Sequence, residues 1–185
     1  MGNHIEPNLI YKPHILPEFC PLEIYKDSDA PSAPSTIILP GMPGLEWMTE
    51  NLSGFGGTEI DGNTYYTWEE AMAAAEQLGD GWRIPTRGEM VDLDDLGSVW
   101  QEEGPHGLPG RLFGGGLFLE AAGFRTRETG ALTSVGASGF AWSSSPFASG
   151  SVNAGHLGFD ATVVTPLGHH SRAYGFPVRC VRNVK

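Results

Sequence analysis

The residues most able to bind a metal ion are histidines near the C-terminus and aspartates in the middle of the chain. His169 and His170 are adjacent, so on a β-strand their side chains would point to opposite faces. A metal site needs convergent ligands, and the nearest other histidine, His156, is distant in sequence. The aspartates have helical spacing rather than that of a calcium loop: Asp92, Asp94 and Asp95. The sequence therefore predicts no metal ion and no cofactor.

The candidate nucleophiles are two cysteines, Cys20 and Cys180. Val178 and Val181 flank Cys180 closely, which indicates a core strand and an inert structural thiol. The two cysteines could form a disulfide or remain as two buried thiols. We favour the thiols, because no secretory signal is visible. The sequence has no Gly-x-Ser-x-Gly motif, and the glycines at 114–116 lack the lysine of a phosphate-binding loop. We therefore expect no catalytic residues and no enzyme.

A candidate binding surface lies in residues 147–171, which are rich in small and uncharged side chains. In this segment two apolar residues alternate with polar or small ones, a period typical of a half-buried strand. The pattern predicts that Leu157 and Phe159 lie in the core. It predicts that the alternating residues lie on an exposed face: His156, Gly158 and Asp160. Small, uncharged and aromatic groups on rigid strands suit recognition of another protein.

Two predicted helices precede this surface, and each begins at a capping box. Thr67 pairs with Glu70 and Thr86 with Glu89, an arrangement in which side chain and backbone cap each other. The inward face predicted for the first helix is Trp68, Ala71, Met72, Ala75 and Leu78, and that for the second is Met90, Leu93 and Leu96. A strand is predicted before them, at residues 47–52.

From residue 97 onward the helical period is lost, and glycines separate short apolar runs. Helices followed by short strands indicate an α+β protein, with two helices packed on a small antiparallel sheet with long loops. Residues 1–44 hold eight of the fourteen prolines, so they are predicted to form an extended N-terminal arm before a domain at 45–185. Within the arm, the segment Thr36–Leu39 is expected to add an edge strand.

The charge distribution excludes several classes of partner. The net charge is −11; residues 1–100 carry seventeen acids and four bases, and residues 101–185 five acids and seven bases. Such a chain is not expected to bind nucleic acid or an anionic membrane. No apolar run is long enough for a membrane helix, so no membrane insertion is expected. The N-terminal residues have neither the basic nor the apolar region of a signal peptide.

Six segments, taken in order, resemble one family: Trp47–Leu52, Tyr66–Met72, Gly81–Glu89, Ala122–Arg125, Phe140–Ser145 and Tyr174–Arg182. They are similar to the bacterial major-paralogous-domain (FISUMP) proteins and to the related variable proteins of diversity-generating retroelements. These variable proteins are similar in kind to the phage major tropism determinant. The resemblance covers about residues 45–183. Its most specific parts are Gly-Trp-Arg-Ile-Pro-Thr and Gly-Phe-Pro-Val-Arg-Cys-Val-Arg.

The resemblance implies a C-type-lectin-like fold, in which the C-terminal strand returns to pair near the start of the domain. It also implies a receptor-binding surface rewritten by mutagenesis at adenines. Residues 147–171 contain no Lys, Glu, Gln, Met or Trp, the residues that changing the adenines of an Asn codon cannot produce. The candidate variable, ligand-binding positions are Phe147, Gly150, Val152, Asn153, Gly155, His156, Gly158, Asp160, Val163, Thr165, Gly168, His169, His170 and Ser171. The expected fixed scaffold is Trp142, Leu157, Phe159, Tyr174, Phe176 and Val178.

Three functions remain open on this basis. The first is a non-catalytic binding protein for a protein or cell-surface ligand, located on a virion or cell by association and otherwise cytoplasmic. The second is an invariant structural or adhesive domain. The third, a formylglycine-generating oxidase, requires a pair of nearby cysteines, which Cys180 lacks in sequence. Calcium-dependent sugar binding is not expected, because Glu6-Pro7-Asn8 lies in the arm and Ser-Ser follows Trp142.

Overall fold

A computed structural model describes residues 33–185 of the protein. Within these residues the chain forms two helices, α1 (Trp68–Leu78) and α2 (Arg87–Asp95), and thirteen short strands. The strands are β1 (Thr36–Ile38), β2 (Leu45–Met48), β3 (Thr58–Ile60), β4 (Asn63–Tyr65), β5 (Ser98–Gln101), β6 (Gly110–Phe113), β7 (Leu117–Glu120), β8 (Phe124–Arg125), β9 (Leu132–Thr133), β10 (Ser138–Pro146), β11 (Asn153–Asp160), β12 (Val164–Ser171) and β13 (Val181–Asn183). All the pairs they form are antiparallel, so the protein is a mixed α+β protein, as the sequence predicted.

Both helices begin at the predicted capping boxes. The Thr67 hydroxyl accepts a hydrogen bond from the Glu70 amide, and the Glu70 carboxylate accepts one from the Thr67 amide at 2.8 Å. Thr86 and Glu89 repeat the arrangement at α2. The inward face of α1 was predicted correctly at Ala71 and Ala75 but wrongly at Met72, which is 38 % exposed, and the prediction omitted Ala74. The buried residues are Ala71, Ala74 and Ala75, so the helix turns its smallest side chains inward and approaches its neighbours closely.

The ends of the described chain meet in one sheet with the order β1-β2-β13. Trp47 of β2 lies opposite Ile37 on one side and Val181 on the other. The edge strand expected near residue 36 is therefore confirmed, and the C-terminal strand pairs beside the start of the domain, as the resemblance implied. Leu39 and Met42 are buried, so this part of the proline-rich segment contributes to the core. Cys20 and the tripeptide at 6–8 lie outside the described residues.

A second sheet, with the order β10-β11-β12, contains the predicted binding segment. Its two faces contact different parts of the core. Leu157 and Phe159 belong to a cluster with Trp47, Met90 and Phe113. A separate cluster combines other residues of the same sheet with the C-terminal segment: Trp142, Ala154, Phe176, Val178 and Cys180. The central strand β11 is therefore covered on both faces.

The remaining strands form the sheets β5-β6-β7, β3-β4 and β8-β9. The buried Arg111 of β6 connects the first of these to the sheet of β11. Its Nε donates to the carbonyl oxygen of Asp160 at 2.8 Å, and its Nη1 donates to the Ser98 hydroxyl at 3.0 Å. Arg111 therefore holds the turn between β11 and β12, which lies within the predicted binding segment, against a second sheet.

Candidate functional site

The predicted ligand-binding positions lie in or next to β10–β12, but they differ in exposure. The exposed ones are Phe147, Gly150, Val152, Val163, Thr165 and His169. The half-buried ones are Asn153, Asp160, Gly168, His170 and Ser171. The buried ones are Gly155, His156 and Gly158. Of the expected scaffold residues, Tyr174 is half-buried. The other five are buried: Trp142, Leu157, Phe159, Phe176 and Val178.

The prediction that His156 and Gly158 lie on an exposed face is wrong. His156 is 5 % exposed, and Gly155 and Gly158 are also buried. The alternation in the sequence is real, since Leu157 faces one core cluster while His156 points the other way. However, period-two alternation separates core from solvent only where one face of the strand is open. Because both faces of β11 are covered, alternation here separates two buried environments.

The His156 ring is enclosed by an aromatic cluster. The centroid of its imidazole lies 5.2 Å from those of His170 and Phe176, 5.6 Å from Phe140 and 6.3 Å from Trp142. Its Nδ1 atom is buried and has no hydrogen-bond partner in the described part of the chain. Burial lowers the pKa of His156 to about 4, so the ring is neutral at physiological pH. Desolvation also lowers the pKa of its neighbour His170.

Two glycines make room for this ring. A Cβ atom at Gly168 would lie 2.5 Å from His156 Cε1, and one at Gly158 would lie 3.2 Å from it. Gly168 stands opposite His156 on β12. Three of the fourteen candidate positions are thus packed against one another, and a change at one restricts the others.

An exposed surface does remain along the edge strand, and it is called here the β12 face: Phe147, Val152, Val163, Thr165, Leu167 and His169. Four of its members are large hydrophobic residues with substantial exposure: Phe147 43 %, Val152 76 %, Val163 52 % and Leu167 48 %. The rings of Phe147 and His169 are 4.0 Å apart between centroids. Leu167 was absent from the predicted set. It lies where the register between β11 and β12 shifts, between Thr165, which is opposite Gly158, and Gly168, which is opposite His156, so strict alternation is interrupted there.

The turn beside this face is fixed by a predicted binding residue, Asp160. Its Oδ1 accepts hydrogen bonds from the Thr162 amide at 2.6 Å, the Thr162 hydroxyl at 2.7 Å and the Val163 amide at 2.9 Å. These bonds hold the pKa of the Asp160 carboxyl below its usual range. The carboxylate therefore positions the turn that carries Val163, a role that the alternation pattern did not indicate.

A separate concave site, which sequence reasoning missed, is a cleft of about 600 Å³, called here the Glu120 cleft. Its polar wall comes from the segments after β2 and between β3 and β4. Its apolar wall comes from Pro105, Leu108, Phe118, Leu132 and Val135. Glu120 and Arg179 also line it, and both are buried, at 9 % and 2 % exposure.

The arginine in this cleft is held by neutral acceptors. Arg179 Nε and Nη2 donate to Asn51 Oδ1 at 3.2 and 2.9 Å, and its Nη1 donates to the carbonyl oxygens of Met48 and Thr49. Within residues 33–185 no carboxylate lies within ion-pair distance of it. Burial lowers the pKa of Arg179 to about 10, and the group stays charged at neutral pH. The arginine links the C-terminal segment to the residues after β2.

A histidine bridges two carboxylates at the opening of the cleft. His106 Nδ1 lies 2.6 Å from Glu120 Oε1, and its Nε2 lies 3.3 Å from Glu50 Oε2. The hydrogen bond to Glu120 raises the pKa of His106 above its usual value. The side chains of His106 and Glu50 are more than half exposed, whereas that of Glu120 is 6 % exposed. No local pattern along the chain indicates this group, because Glu120 is fourteen residues from His106.

Cys180 is buried, as the sequence predicted, and burial raises the pKa of its thiol to about 12. A thiol that stays protonated at neutral pH is a poor nucleophile. In the part of the chain that the structure describes, no group of three or more potential ligands (His, Cys, Asp or Glu) is placed to hold a metal ion. Among the same residues no helix is long and apolar enough to cross a membrane.

Comparison with known proteins does not identify either site. No protein-family model, no curated protein and no solved structure matches the chain.

Proposed function

We propose that this chain is a non-catalytic binding protein with a C-type-lectin-like fold, which recognises a protein or cell-surface ligand through the β12 face. The observation that carries the proposal is the set of large apolar side chains left exposed on and beside a hydrogen-bonded edge strand. Singly exposed hydrophobic residues are ordinary, but a group of them is typical of a binding surface. Here Leu167 lies on β12, and the other three lie in the connections between β10, β11 and β12: Phe147, Val152 and Val163. The family resemblance of residues 45–183 suggests the kind of ligand.

The β12 face is ordered before any ligand binds, which favours recognition. Backbone hydrogen bonds to β11 hold the strand, and the Asp160 turn fixes one end of it. Arg87 at the start of α2 donates to the carbonyl oxygen of Leu167 at 3.3 Å. Ordered side chains lose less conformational entropy on binding than flexible loops do, so more of the contact energy remains as affinity.

The topology supports the proposed fold. The two helices precede the sheet of β10, β11 and β12, and β13 pairs with β2 at the start of the domain. The segments that carry the resemblance also contact one another, since Met48 and Leu52 donate backbone hydrogen bonds to the carbonyl oxygens of Cys180 and Val178. Five short strands, β5 to β9, follow α2, and the candidate surface lies beyond them in the chain.

We further propose that the β12 face is the diversified surface of a retroelement variable protein. The composition of residues 147–171 supports this idea, because it lacks the residue types that adenine mutagenesis of Asn codons cannot make. The exposed predicted positions form the proposed variable set: Phe147, Gly150, Val152, Val163, Thr165 and His169. Gly155, His156 and Gly158 are assigned to the scaffold instead, since they are packed inside the protein.

A specific observation favours a second candidate, the invariant adhesive or structural domain. His156, Gly158 and Gly168 are packed against one another, and free variation at any of them would disturb the aromatic cluster. A segment designed for diversification should contain few such dependencies. The two candidates share the binding face and differ in whether it varies.

Coding DNA tests the proposal directly. The gene neighbourhood should contain a nearly identical template repeat that differs from the codons for residues 147–171 at adenines. Sequencing of independent isolates should then find substitutions at Val152, Thr165 and His169 and none at Leu157 or Phe159. Isolates that share one sequence throughout this segment, with no template repeat, would support the invariant domain instead.

A further inference from the structure

We propose that the Glu120 cleft is a second binding site and that it takes a small organic cation, a primary ammonium group on an apolar body. The carboxylates of Glu50, Asp61 and Glu120 line the cleft, together with the cations Arg179 and His106. Acidic groups outnumber basic ones here, and the protein as a whole carries a net charge of −11. The local and the overall field both favour a positive ligand.

Arg179 does not offer a competing anion site. Its Nε, Nη1 and Nη2 atoms already donate to Asn51 and to two backbone carbonyls. Four of its five N–H groups are used in this way, so an incoming carboxylate or phosphate could form at most one further bond, from Nη2, without displacing them. It would also meet the three carboxylates that line the same cleft. The guanidinium therefore acts as a structural link that partly offsets the charge of the carboxylates.

Glu120 has an unused acceptor in the cleft. Its side chain is 6 % exposed, and its Oε1 lies 2.6 Å from His106 Nδ1. Its Oε2 has no hydrogen-bond partner in the described part of the chain. This oxygen is not among the fully buried side-chain atoms, so it is accessible from the cleft, and an ammonium group supplies three donors in a small volume. Glu50 presents a second carboxylate at the opening, so two anionic groups face the same space.

The opposite wall of the cleft suits an apolar ligand body. Leu108, Phe118, Leu132 and Val135 line it, and Val135 is 46 % exposed. A volume of about 600 Å³ falls in the range of small-molecule sites. The combination of one apolar wall and paired carboxylates fits an arylalkyl or alkyl amine.

His106 competes with such a ligand. When protonated, it donates to Glu120 and lies 3.3 Å from Glu50, and these are the carboxylates that an ammonium group would use. Replacing His106 by alanine should therefore tighten binding of a cation. The same change should weaken binding of an anion, because it removes a positive charge. The sign of this effect identifies the charge of the ligand.

The experiment is calorimetric titration of the full chain with 2-phenylethylammonium at neutral pH and low ionic strength. Neutral 2-phenylethanol and anionic 3-phenylpropionate serve as matched probes. We expect saturable binding of the amine, weakened about tenfold to a hundredfold by Glu50→Gln or Glu120→Gln, as loss of a charged hydrogen bond requires. The control Glu76→Gln removes the same charge from an exposed position of α1 outside the cleft and should leave affinity nearly unchanged.

His106→Ala should bind the amine more tightly than the wild type. Glu50→Gln keeps the test decisive if Glu120→Gln fails to fold, because the Glu50 side chain is 55 % exposed. Three results would overturn the proposal: no binding of the amine, equal binding of the amine and the alcohol, or preferred binding of the carboxylate with loss in His106→Ala. None of these results depends on the β12 face, so the two binding proposals stand or fall separately.

Discussion

Strands β11 and β12 are neighbours of equal length, eight residues each, yet their environments differ completely. In β11 every residue from Ala154 to Phe159 is buried. In β12 exposed residues alternate with half-buried ones from Val164 to His169. Both strands are rich in small and apolar residues and both contain histidine, so their composition does not separate them.

The difference follows from position in the sheet. β11 is hydrogen-bonded on both sides, to β10 and to β12, and a core cluster covers each face. β12 lies at the edge of this sheet in the described chain. A strand in the middle of a small sheet can thus be fully internal, whereas a strand of similar composition at the edge provides a surface.

The largest expected effect is the loss of a β11 core side chain. Leu157→Ala should lower the free energy of unfolding by about 2–5 kcal/mol, because it leaves a cavity in a fully buried cluster. Its matched control is Leu167→Ala, the same deletion on β12, where the side chain is 48 % exposed. Denaturant midpoints measure both. Equal losses would mean that the edge strand is packed as tightly as the middle one.

The next largest effect is the loss of folding stability as the pH is lowered. His156 has a pKa of about 4 in the native protein and an ordinary value of 6.5 when exposed. Between these values the unfolded chain binds more protons than the native one, so stability falls as the pH is lowered from about 6.5 to 4. The loss should reach about 3 kcal/mol from this residue, and His170 should add to it in the same direction.

Unfolding free energies measured at several pH values test this prediction. His156→Leu should flatten the dependence in this window, since the buried titrating group is gone, while His170 keeps part of it. Thr165→Val, which changes no titrating group at an exposed position of β12, is the control and should leave the slope intact. If the unfolding free energy of the wild type does not change from pH 6.5 to 4, the imidazole of His156 is hydrated rather than enclosed.

A smaller effect is expected where the two strands touch. Gly168→Ala should cost about 1–3 kcal/mol, since the new Cβ atom would lie 2.5 Å from His156 Cε1. The penalty should shrink in a His156→Ala background, which a double-mutant cycle measures. Gly44→Ala is the control, because no atom lies within 4 Å of the added Cβ. If Gly168→Ala costs as much stability in the His156→Ala background as in the wild type, the added Cβ atom does not clash with the His156 ring.

The smallest effects should occur on the β12 face itself. Substitutions at Thr165 and His169 should change the free energy of unfolding by no more than about 0.5 kcal/mol, as is usual for exposed positions. A library that randomises both positions, sorted for folded protein, measures this tolerance. Strong selection for the native residues would contradict the proposal that this face is free to vary.

Local chemistry made the helices predictable from sequence. Thr67 and Thr86 each precede a glutamate by three residues, and the caps form between groups that are already close in the chain. The α+β class followed from the change of period along the sequence. The burial of Leu157, Phe159 and Cys180 was also predictable, since their apolar character required it.

The sequence by itself therefore determined what depends on neighbours along the chain: helix starts, strand periodicity and the apolar identity of the core. The tertiary structure decided which strand became internal, and so turned His156 from an expected surface residue into a buried one. It also assembled the Glu120 cleft, where Arg179 bonds to Asn51 across 128 positions and Glu120 meets His106 across fourteen. Sequence periodicity reports the two sides of a strand but not what covers each side, because the covering elements come from distant parts of the chain.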